Sequence, residues 1–353
     1  MEYINFKNLE PFLLNVEKKN SFFLKKIKEL TKHHYTNSKE YKKILNFTNK
    51  KNNLNNLEDI PFLPIHLFKE YELMSIPKDK VFKTLNSSGT SGIKKSKIFL
   101  DSSNAHNQQL ALSKILKTII GSKRLPMLII DKNPKNIFKS ELSAKLAAIN
   151  GFSIFGKEHL YLLNEKGEID YLNLNIFLEK YSGSNFLIFG FTSIVFDNLF
   201  SKIKLTNLKN NFKNGILIHG GGWKKMESIK VSSSTFKKKL FDKINLKNIY
   251  NYYGLVEQTG SIFVECKYCN YLTTSIFSEV IIRDKYLNVA KNGQKGFIQV
   301  LSLLPTSYPG HSILTEDIGE IIKKGSCVCS KHSTRFKVHG RLPQSEIRGC
   351  SDI

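Results

Sequence analysis

The segment 85–96 has the residue types that bind a phosphate group, in the order LNSSGTSGIKKS. Its two glycines leave backbone N–H groups exposed and close enough to surround an anion, and the lysines that follow can neutralise phosphate charge. The spacing does not fit the G-x-x-x-x-G-K-[ST] loop from either glycine. The segment therefore predicts an anion-binding loop of another type, with a flexible surface turn as the alternative.

Three other segments have the same character. Segment 216–224 (ILIHGGGWK) is a strand pattern that runs into three glycines, which is typical of backbone that a ligand approaches closely. Segment 250–257 (YNYYGLVE) sets aromatic rings beside a glycine and ends in a carboxylate, and segment 314–320 (LTEDIGE) precedes Gly340-Arg341. Each has a plain structural alternative, because tyrosines are more often core residues and an aspartate is more often a turn residue.

Four of the five cysteines fall in two close pairs, Cys266-x-x-Cys269 and Cys327-x-Cys329. Four thiolates in such pairs suit tetrahedral zinc, and neither pair is spaced for an easy internal disulfide. His332 is a candidate substitute ligand. A four-cysteine site has no open coordination position, so the zinc would be structural. The alternative is four reduced thiols without a metal, and in either case Cys350 is left unpaired.

Taken together and in this order, these segments resemble the adenylate-forming superfamily of acyl-CoA synthetases, and within it the long-chain acyl-protein synthetase (LuxE) family. The narrower resemblance covers nearly the whole chain from about residue 57. It is carried by IPFLP at 60–64, SSGTSG at 87–92, HGGGWK at 219–224, LSLLPTSYPGHS at 301–312 and GRLPQSEIRGCSD at 340–352. The first loop is shared across the superfamily, whereas the last two runs are much more specific.

The resemblance implies an α/β fold with the large-domain architecture of adenylate-forming enzymes, that is, parallel sheets flanked by helices plus a smaller β-rich subdomain. It implies an ATP-dependent, Mg²⁺-dependent ligase that activates a fatty acid to acyl-AMP. The acyl group then moves to a cysteine of the enzyme, from which a reductase partner takes it. An acyl carrier protein or CoA, in a lipid or surface-polysaccharide pathway, is the alternative acceptor.

The resemblance also implies roles for individual residues. The β- and γ-phosphates are assigned to Ser87, Ser88, Gly89, Thr90, Gly92 and Lys95, and the adenine ring to Gly220, Gly221, Gly222 and Tyr253. Glu257 is assigned to Mg²⁺, Asp317 to the ribose hydroxyls, and Arg341 to the ribose or the α-phosphate. Attack of a carboxylate on a phosphate brings two anions together, so the cations and N–H donors must be placed beforehand.

Cys350 is the implied acyl acceptor and, with Glu257, Lys95 and Arg341, a candidate catalytic residue. The thiolate is the nucleophile, and the permanent charge of Arg348 would lower the pKa of the thiol, with His339 as a second candidate. A C-terminal thiol without a role is the alternative. Typical superfamily members continue past the Gly-Arg hinge into a small mobile domain with a catalytic lysine. This sequence ends 12 residues after Arg341, so we expect that domain to be absent and Lys95 or Lys224 to supply the charge.

Charge and composition limit the other classes of function. The chain carries 54 Lys+Arg against 30 Asp+Glu, a net charge of +24, yet only five of the basic residues are arginine. We interpret the excess of positive charge mainly as a solvated surface covered by lysines, which could bind an acidic carrier protein. The competing hypothesis, a basic zinc-ribbon protein that binds nucleic acid, is opposed by the scarcity of arginine and by the nucleotide-loop motifs. We therefore expect no nucleic-acid partner.

Apolar patterns indicate how the elements are arranged. We predict three regions: a helical N-terminal region at 1–75, an ATP- and acyl-binding core at 76–340, and a C-terminal tail at 341–353 that carries Cys350. The part of the core at 261–335 is rich in strand patterns and contains the candidate zinc site.

Short apolar runs of strand length, at 127–131, 186–190 and 216–219, alternate with helical ones in the core, which favours parallel strands covered by helices. Strand patterns in the β-rich part include 280–282, 296–301 and 318–322. No run approaches the length of a membrane helix, no signal peptide is evident, and the odd cysteine count suits a reducing compartment, so we expect a cytoplasmic protein.

Overall fold

The computed structural model describes residues 4–48, 54–87, 94–134, 144–204, 209–329 and 332–341. The described residues form two compact units. The first contains residues 4–115 and 254–341, and the second contains residues 116–253.

The N-terminal part of the first unit is helical. It contains α1 (Val16–Asn37), α2 (Lys39–Phe47) and α3 (Leu67–Glu70), together with the two-residue strand β1 (Leu63–Pro64). Helix α1 begins after Asn15, whose side chain accepts a hydrogen bond from the Lys18 backbone N–H. Phe23, Ile27 and Leu30 recur at helical spacing on its buried face. The helical periodicity of this region thus corresponds to α1.

A hairpin follows and leads towards the second unit. Strands β2 (Lys83–Asn86) and β3 (Lys97–Leu100) pair antiparallel, so the predicted phosphate loop connects them, and helix α4 (Ser102–Ile120) carries the chain onward.

The second unit is a parallel sheet with helical connections. Its elements are β4 (Leu125–Lys132), α5 (Ala144–Ser153), β5 (Gly156–Leu163), α6 (Tyr171–Tyr181), β6 (Phe186–Phe191), α7 (Thr192–Phe196), β7 (Gly215–Gly220), α8 (Ser233–Ile244) and β8 (Asn248–Tyr253). The strand order is β5-β4-β6-β7-β8 with every neighbouring pair parallel. All residues of β6 and β7 are buried, as expected for strands covered on both faces. The predicted strands at 127–131, 186–190 and 216–219 are confirmed.

The C-terminal part of the first unit is a mainly antiparallel sheet. It contains β9 (Phe263–Glu265), β10 (Leu272–Thr273), β11 (Ser278–Arg283), β12 (Gly296–Ser302), β13 (Ser312–Ser326) and β14 (His332–Arg341). The order is β11-β12-β13-β14-β10-β9, and β1 pairs parallel with β13. This sheet corresponds to the predicted β-rich part. Within the described part of the chain, every helix is too short or too polar to cross a membrane.

Candidate functional site

Glu257 lies in a single 3-10 turn, Val256–Gln258, where the chain returns to the first unit. Its carboxyl group is buried, and burial raises the pKa of this group because a charge is poorly solvated there. The Ser96 hydroxyl opposes that shift. Although Ser96 makes no well-formed side-chain hydrogen bond among the described residues, it lies close enough to the carboxyl group to favour the ionised form.

Two cations act on the same carboxyl group. The guanidinium of Arg341, at the end of β14, and the ammonium group of Lys69, in α3, both favour its ionised form. Sequence reasoning assigned Arg341 to this site but gave no role to Lys69. A buried carboxylate beside two cations and a hydroxyl is suited to holding a metal–phosphate complex, since its oxygens bind the metal while the cations face the phosphates.

Asp317 and Arg341 are brought together by the longest ladder of the sheet. They are direct partners across β13 and β14, and Arg341 Nε lies 3.3 Å from Asp317 Oδ1. The Asp317 side chain is buried, and its backbone N–H donates to Thr315 Oγ1 at 3.2 Å. The pair therefore offers a fixed carboxylate and a planar cation side by side, as recognition of a ribose and a phosphate requires.

The base of the predicted phosphate loop is described, but most of the loop is not. The Ser87 backbone N–H donates to the Ser96 carbonyl at 3.0 Å, and the Ser96 N–H donates to Ser87 Oγ at 2.8 Å. Lys95, which lies next to this pair, is half-buried. The remaining predicted loop residues, Ser88, Gly89, Thr90 and Gly92, lie outside the described residues, as do Arg348 and Cys350.

The three predicted adenine glycines belong to the second unit, at the end of β7. A Cβ on Gly220 would lie 2.7 Å from the Tyr252 ring, so only glycine fits there. Gly221 and Gly222 have φ values of +81° and +70°, a region that side chains disfavour, and both residues are exposed. Tyr253, the fourth predicted residue, is half-buried at the end of β8. The backbone at Gly221 and Gly222 is therefore exposed, and close approach of a ligand to it stays a prediction of the glycine run.

Three of the four paired cysteines converge in the first unit, and the fourth, Cys329, lies outside their mutually close group but approaches Cys266. The thiols of Cys266, Cys269 and Cys327 lie within 4.8 Å of one another, and His332, the candidate substitute, is not part of that group. The Cys266 sulfur lies 4.0 Å from Cys327 Sγ and 3.5 Å from Cys329 Sγ. With Zn–S bonds of about 2.3 Å, two sulfurs of a tetrahedron stand roughly 3.8 Å apart. The donor set and spacing thus fit zinc.

The ionisation of these thiols is uneven. Burial raises the pKa of Cys269 to about 12. Burial also opposes ionisation of Cys327. Hydrogen bonds to its sulfur from the Cys329 backbone N–H and from the thiols of Cys329, Cys266 and Cys269 outweigh that effect, and they lower the pKa of Cys327 to about 6. One thiol of the cluster therefore ionises readily, whereas another needs an added positive charge to do so.

Comparison with known proteins decides the family. A profile of the acyl-protein synthetase (LuxE) family matches residues 5–353. The chain belongs to this family. Two similar proteins are each named long-chain-fatty-acid–luciferin-component ligase. The one from Aliivibrio fischeri is 22% identical over 340 residues, which is 93% of this chain and 86% of that protein. The one from Vibrio harveyi is 23% identical over 346 residues, which is 92% and 85%. The predicted family and enzyme class, an acyl-protein synthetase, are confirmed.

Solved structures of the same fold include 2-hydroxyisobutyryl-CoA ligase. Its open conformation, in complex with 2-HIB-AMP and CoA, matches with a TM-score of 0.70 at 13% identity, over 94% of this chain and 77% of that one. Its postadenylation state, in complex with R3-HIB-AMP, matches with a TM-score of 0.69 at 12% identity, over 94% and 69%. This likeness confirms the predicted fold class, since the chain has the α/β fold of these ligase structures.

Sequence reasoning missed the residues that support Glu257. Ser96 ends the predicted anion-binding segment 85–96, and Tyr308 lies in the run 301–312 that indicated the family, yet neither received a role, and Gln258 was not considered. The available signal was local: a buried carboxylate needs hydrogen-bonding neighbours, and hydroxyl and amide side chains stand next to the motif residues.

Proposed function

We propose that this protein joins a fatty acid to the α-phosphate of ATP and then transfers the acyl group to its own Cys350 as a thioester. The observation that carries the proposal is the buried carboxyl group of Glu257 with Arg341 and Lys69 as nearby cations, in a chain of the acyl-protein synthetase family. The names of the relatives, ligases for long-chain fatty acids, support the choice of substrate.

In the first step, a carboxylate oxygen of the fatty acid attacks the α-phosphorus, and pyrophosphate leaves with the electron pair of the broken P–O bond. Arg341 would stabilise the charge that develops on the phosphate, and Asp317 would accept hydrogen bonds from the ribose hydroxyls. Mg²⁺ bound by Glu257 would neutralise part of the triphosphate charge. Lys95 and the loop that begins at Ser87 would hold the outer phosphates, and Gly220–Gly222 with Tyr253 would frame the adenine ring.

In the second step, the Cys350 thiolate attacks the acyl carbonyl carbon, and AMP leaves with the electron pair of the broken C–O bond. The product is a thioester at which a reductase can act. Both relatives are named for a luciferin component, which supports a reductase as the partner that receives the acyl group. The sequence-based alternative, delivery to an acyl carrier protein or CoA, predicts a different product.

Exchange of labelled pyrophosphate into ATP tests the adenylation step. We expect exchange only when a carboxylic acid is present, with fatty acids as the best substrates. Glu257→Gln should lower the exchange rate at least about a hundredfold, on the scale of losing one preorganised charge interaction. Failure of every carboxylic acid, from short to long chain, to support exchange would rule out the proposal.

Labelling with radioactive fatty acid and ATP tests the acyl acceptor. The wild type should retain label that hydroxylamine removes, and Cys350→Ser should lose that label while it keeps pyrophosphate exchange. Equal hydroxylamine-sensitive label on both proteins would contradict Cys350 as acceptor. Label found on added acyl carrier protein or CoA, rather than on the chain, would favour the alternative acceptor.

We also propose a structural zinc ion held by Cys266, Cys269, Cys327 and Cys329. The support is the spacing of the sulfurs together with the donor type, since zinc binds thiolates at such separations. Protein purified without chelator should contain about one equivalent of zinc. Cys266→Ser should lose it, and Cys350→Ser, which removes the remaining cysteine, is the matched control that should keep it. Less than about half an equivalent in the wild type would contradict the site.

A further inference from the structure

Tyr308 is fully buried beneath the turn that carries Glu257. Its hydroxyl donates a 2.8 Å hydrogen bond to the backbone carbonyl of Glu257. The Gln108 side chain, from α4, lies close enough to the same hydroxyl to favour its ionised form, although its amide nitrogen makes no well-formed hydrogen bond among the described residues. The Tyr308 ring meets the Phe68 ring edge-on, with 6.3 Å between centroids. The hydrogen bond to Glu257 therefore connects the turn to the interior of the unit.

The next residue of the turn is fixed in the same way. The Gln258 side-chain amide donates to the carbonyl of Gly310 at 2.8 Å and to the carbonyl of Val300 at 3.1 Å. Gly310 also packs directly under the turn, since a Cβ there would lie 2.9 Å from the Glu257 carbonyl oxygen. The segment 308–310 thus contacts the turn in three ways: the Tyr308 hydroxyl and the Gly310 Cα meet its backbone, and the Gly310 carbonyl accepts from the Gln258 side chain.

On the other side, Gly260 packs against α4. Its φ is +86°, and an added Cβ would lie 2.5 Å from the Gln108 carbonyl oxygen. The turn is therefore enclosed between α4 and the segment 308–310.

The Glu257 carboxyl group itself has fewer well-formed hydrogen bonds than the backbone and the Gln258 side chain of the turn. Among the described residues, its hydrogen-bonding neighbours are its own backbone N–H and the Ser96 hydroxyl, whose geometry is poor. Its position is consequently set by where the backbone of the turn lies, rather than by a side-chain clamp.

We infer that Tyr308 is a positioning residue for Glu257: its hydroxyl fixes the turn so that the carboxylate meets the metal of the metal–ATP complex. The inference rests on the proposed function, in which Glu257 binds Mg²⁺. Without the hydroxyl, the Glu257 carbonyl would be buried with no donor, and the turn would shift to find one. The carboxylate would move with it.

The test compares Tyr308→Phe with Tyr41→Phe. Tyr41 is also fully buried in the first unit, but its hydroxyl lies 3.4 Å from His311 Nε2 and does not contact the turn. The unfolding temperature is measured with ATP present while the Mg²⁺ concentration is raised. The readout is the Mg²⁺ concentration at which half of the total rise in unfolding temperature is reached. Glu257→Gln, which lacks the proposed metal ligand, serves as the reference. Each variant is also assayed for pyrophosphate exchange across the same Mg²⁺ range.

Tyr308→Phe should raise the half-effective Mg²⁺ concentration about tenfold, the scale of one lost buried hydrogen bond, while the Michaelis constant for the fatty acid stays unchanged. Tyr41→Phe should behave as the wild type towards Mg²⁺, even if it lowers the unfolding temperature. If Tyr308→Phe does not fold, Gln258→Met, which removes two hydrogen bonds from the adjoining residue, is expected to give the same shift.

Different outcomes would contradict the positioning role of Tyr308 and the proposed function. The half-effective Mg²⁺ concentration could rise in Glu257→Gln and stay unchanged in Tyr308→Phe. That result would overturn the positioning role and leave the proposed function intact. The same holds for Gln258→Met where that variant replaces Tyr308→Phe. Equal shifts in Tyr308→Phe and Tyr41→Phe would also overturn it, because any buried hydroxyl would then suffice. No Mg²⁺-dependent stabilisation by ATP in the wild type, and no exchange, would overturn both.

Discussion

The two units of the protein bury different kinds of side chain. Among the described residues of the second unit, the buried polar or charged side chains are Asp131, Thr192, Ser193, Asn198 and His219, and the rest of its interior is an aliphatic and aromatic cluster around the parallel sheet. The interior of the first unit contains an ion pair (Lys19–Glu279), an arginine–amide pair (Arg283–Gln299) and two stacked histidines (His34–His311).

The difference bears on what each interior can specify. Apolar side chains of about the right size stabilise a fold in many arrangements, whereas a buried polar network is satisfied in only one. The first unit carries Glu257, Asp317 and Arg341, whose relative positions matter for the proposed chemistry. We interpret its polar interior as the means of fixing those positions, at a cost in stability that the second unit, with fewer buried polar side chains among its described residues, incurs less often.

The largest expected effect comes from breaking the ion pair. Lys19 Nζ lies 2.7 Å from both Glu279 Oε2 and Thr274 Oγ1, and the Lys19 and Glu279 side chains are both about 5% exposed. Lys19→Met would leave the Glu279 carboxylate buried without its cation, so we expect a loss of about 3–5 kcal/mol in the free energy of unfolding. Urea denaturation at neutral pH measures it.

A double variant and a surface control show whether the burial of the ion pair causes the loss of stability. Replacing both partners, with Lys19→Met and Glu279→Leu, should recover most of the loss, because no charge is then left unpaired. Lys94→Met removes an exposed pair with Glu70, whose side chains are 70% and 49% exposed, and should cost less than about 1 kcal/mol. A buried-pair variant no worse than this control would remove the contrast between the two interiors.

A smaller effect is expected in the apolar unit. Leu217, in β7, is completely buried in the cluster, and Leu217→Ala should cost about 3 kcal/mol through lost contacts and the cavity that remains. Leu172, on α6, is 72% exposed, so Leu172→Ala should change the free energy of unfolding by less than about 0.5 kcal/mol. The cost at Leu217 should be the same at pH 5.5 and pH 7.5, since no titrating group is altered. A strong pH dependence would show that the apolar interior is coupled to buried charges.

The sequence predicts the strands of the second unit more completely than those of the first. Strands β6 and β7 appear as continuous apolar runs because both faces are covered, and they were located from pattern alone. Strand β13 was predicted only at 318–322, yet it extends from Ser312 to Ser326. Most of its residues alternate between buried and half-buried, and bulges interrupt its pairing, so no continuous apolar run marks its length. The motif residues Glu257, Asp317 and Arg341 could be named from the resemblance. Their supports, Ser96 and Tyr308, could not, because hydrogen bonds between residues far apart in sequence follow from the folded topology.

The smallest expected effect, and the one that tests the polar interior most directly, is a dependence of stability on pH. His34 and His311 stack with 4.7 Å between ring centroids, and burial lowers the pKa of His311 to about 3 and that of His34 well below 6.5. Among the described residues, the groups that contact the two rings are Thr31, Tyr41, Ser75, His33 and the Pro305 carbonyl, and none of these is a carboxylate that would favour the charged ring.

Because the unfolded chain protonates these histidines near pH 6.5 and the folded chain does not, the unfolded state binds more protons below that pH. The contribution to stability is therefore complete above pH 6.5 and is lost as pH falls towards 3, by up to about 1.4 kcal/mol per pH unit for each histidine. His311→Gln should reduce the slope of unfolding free energy between pH 6.5 and 5 by up to that amount. The exposed His106→Gln, which leaves the buried rings untouched, should not change it. An unchanged slope in His311→Gln would mean that the buried pair is not what makes the first unit sensitive to acid.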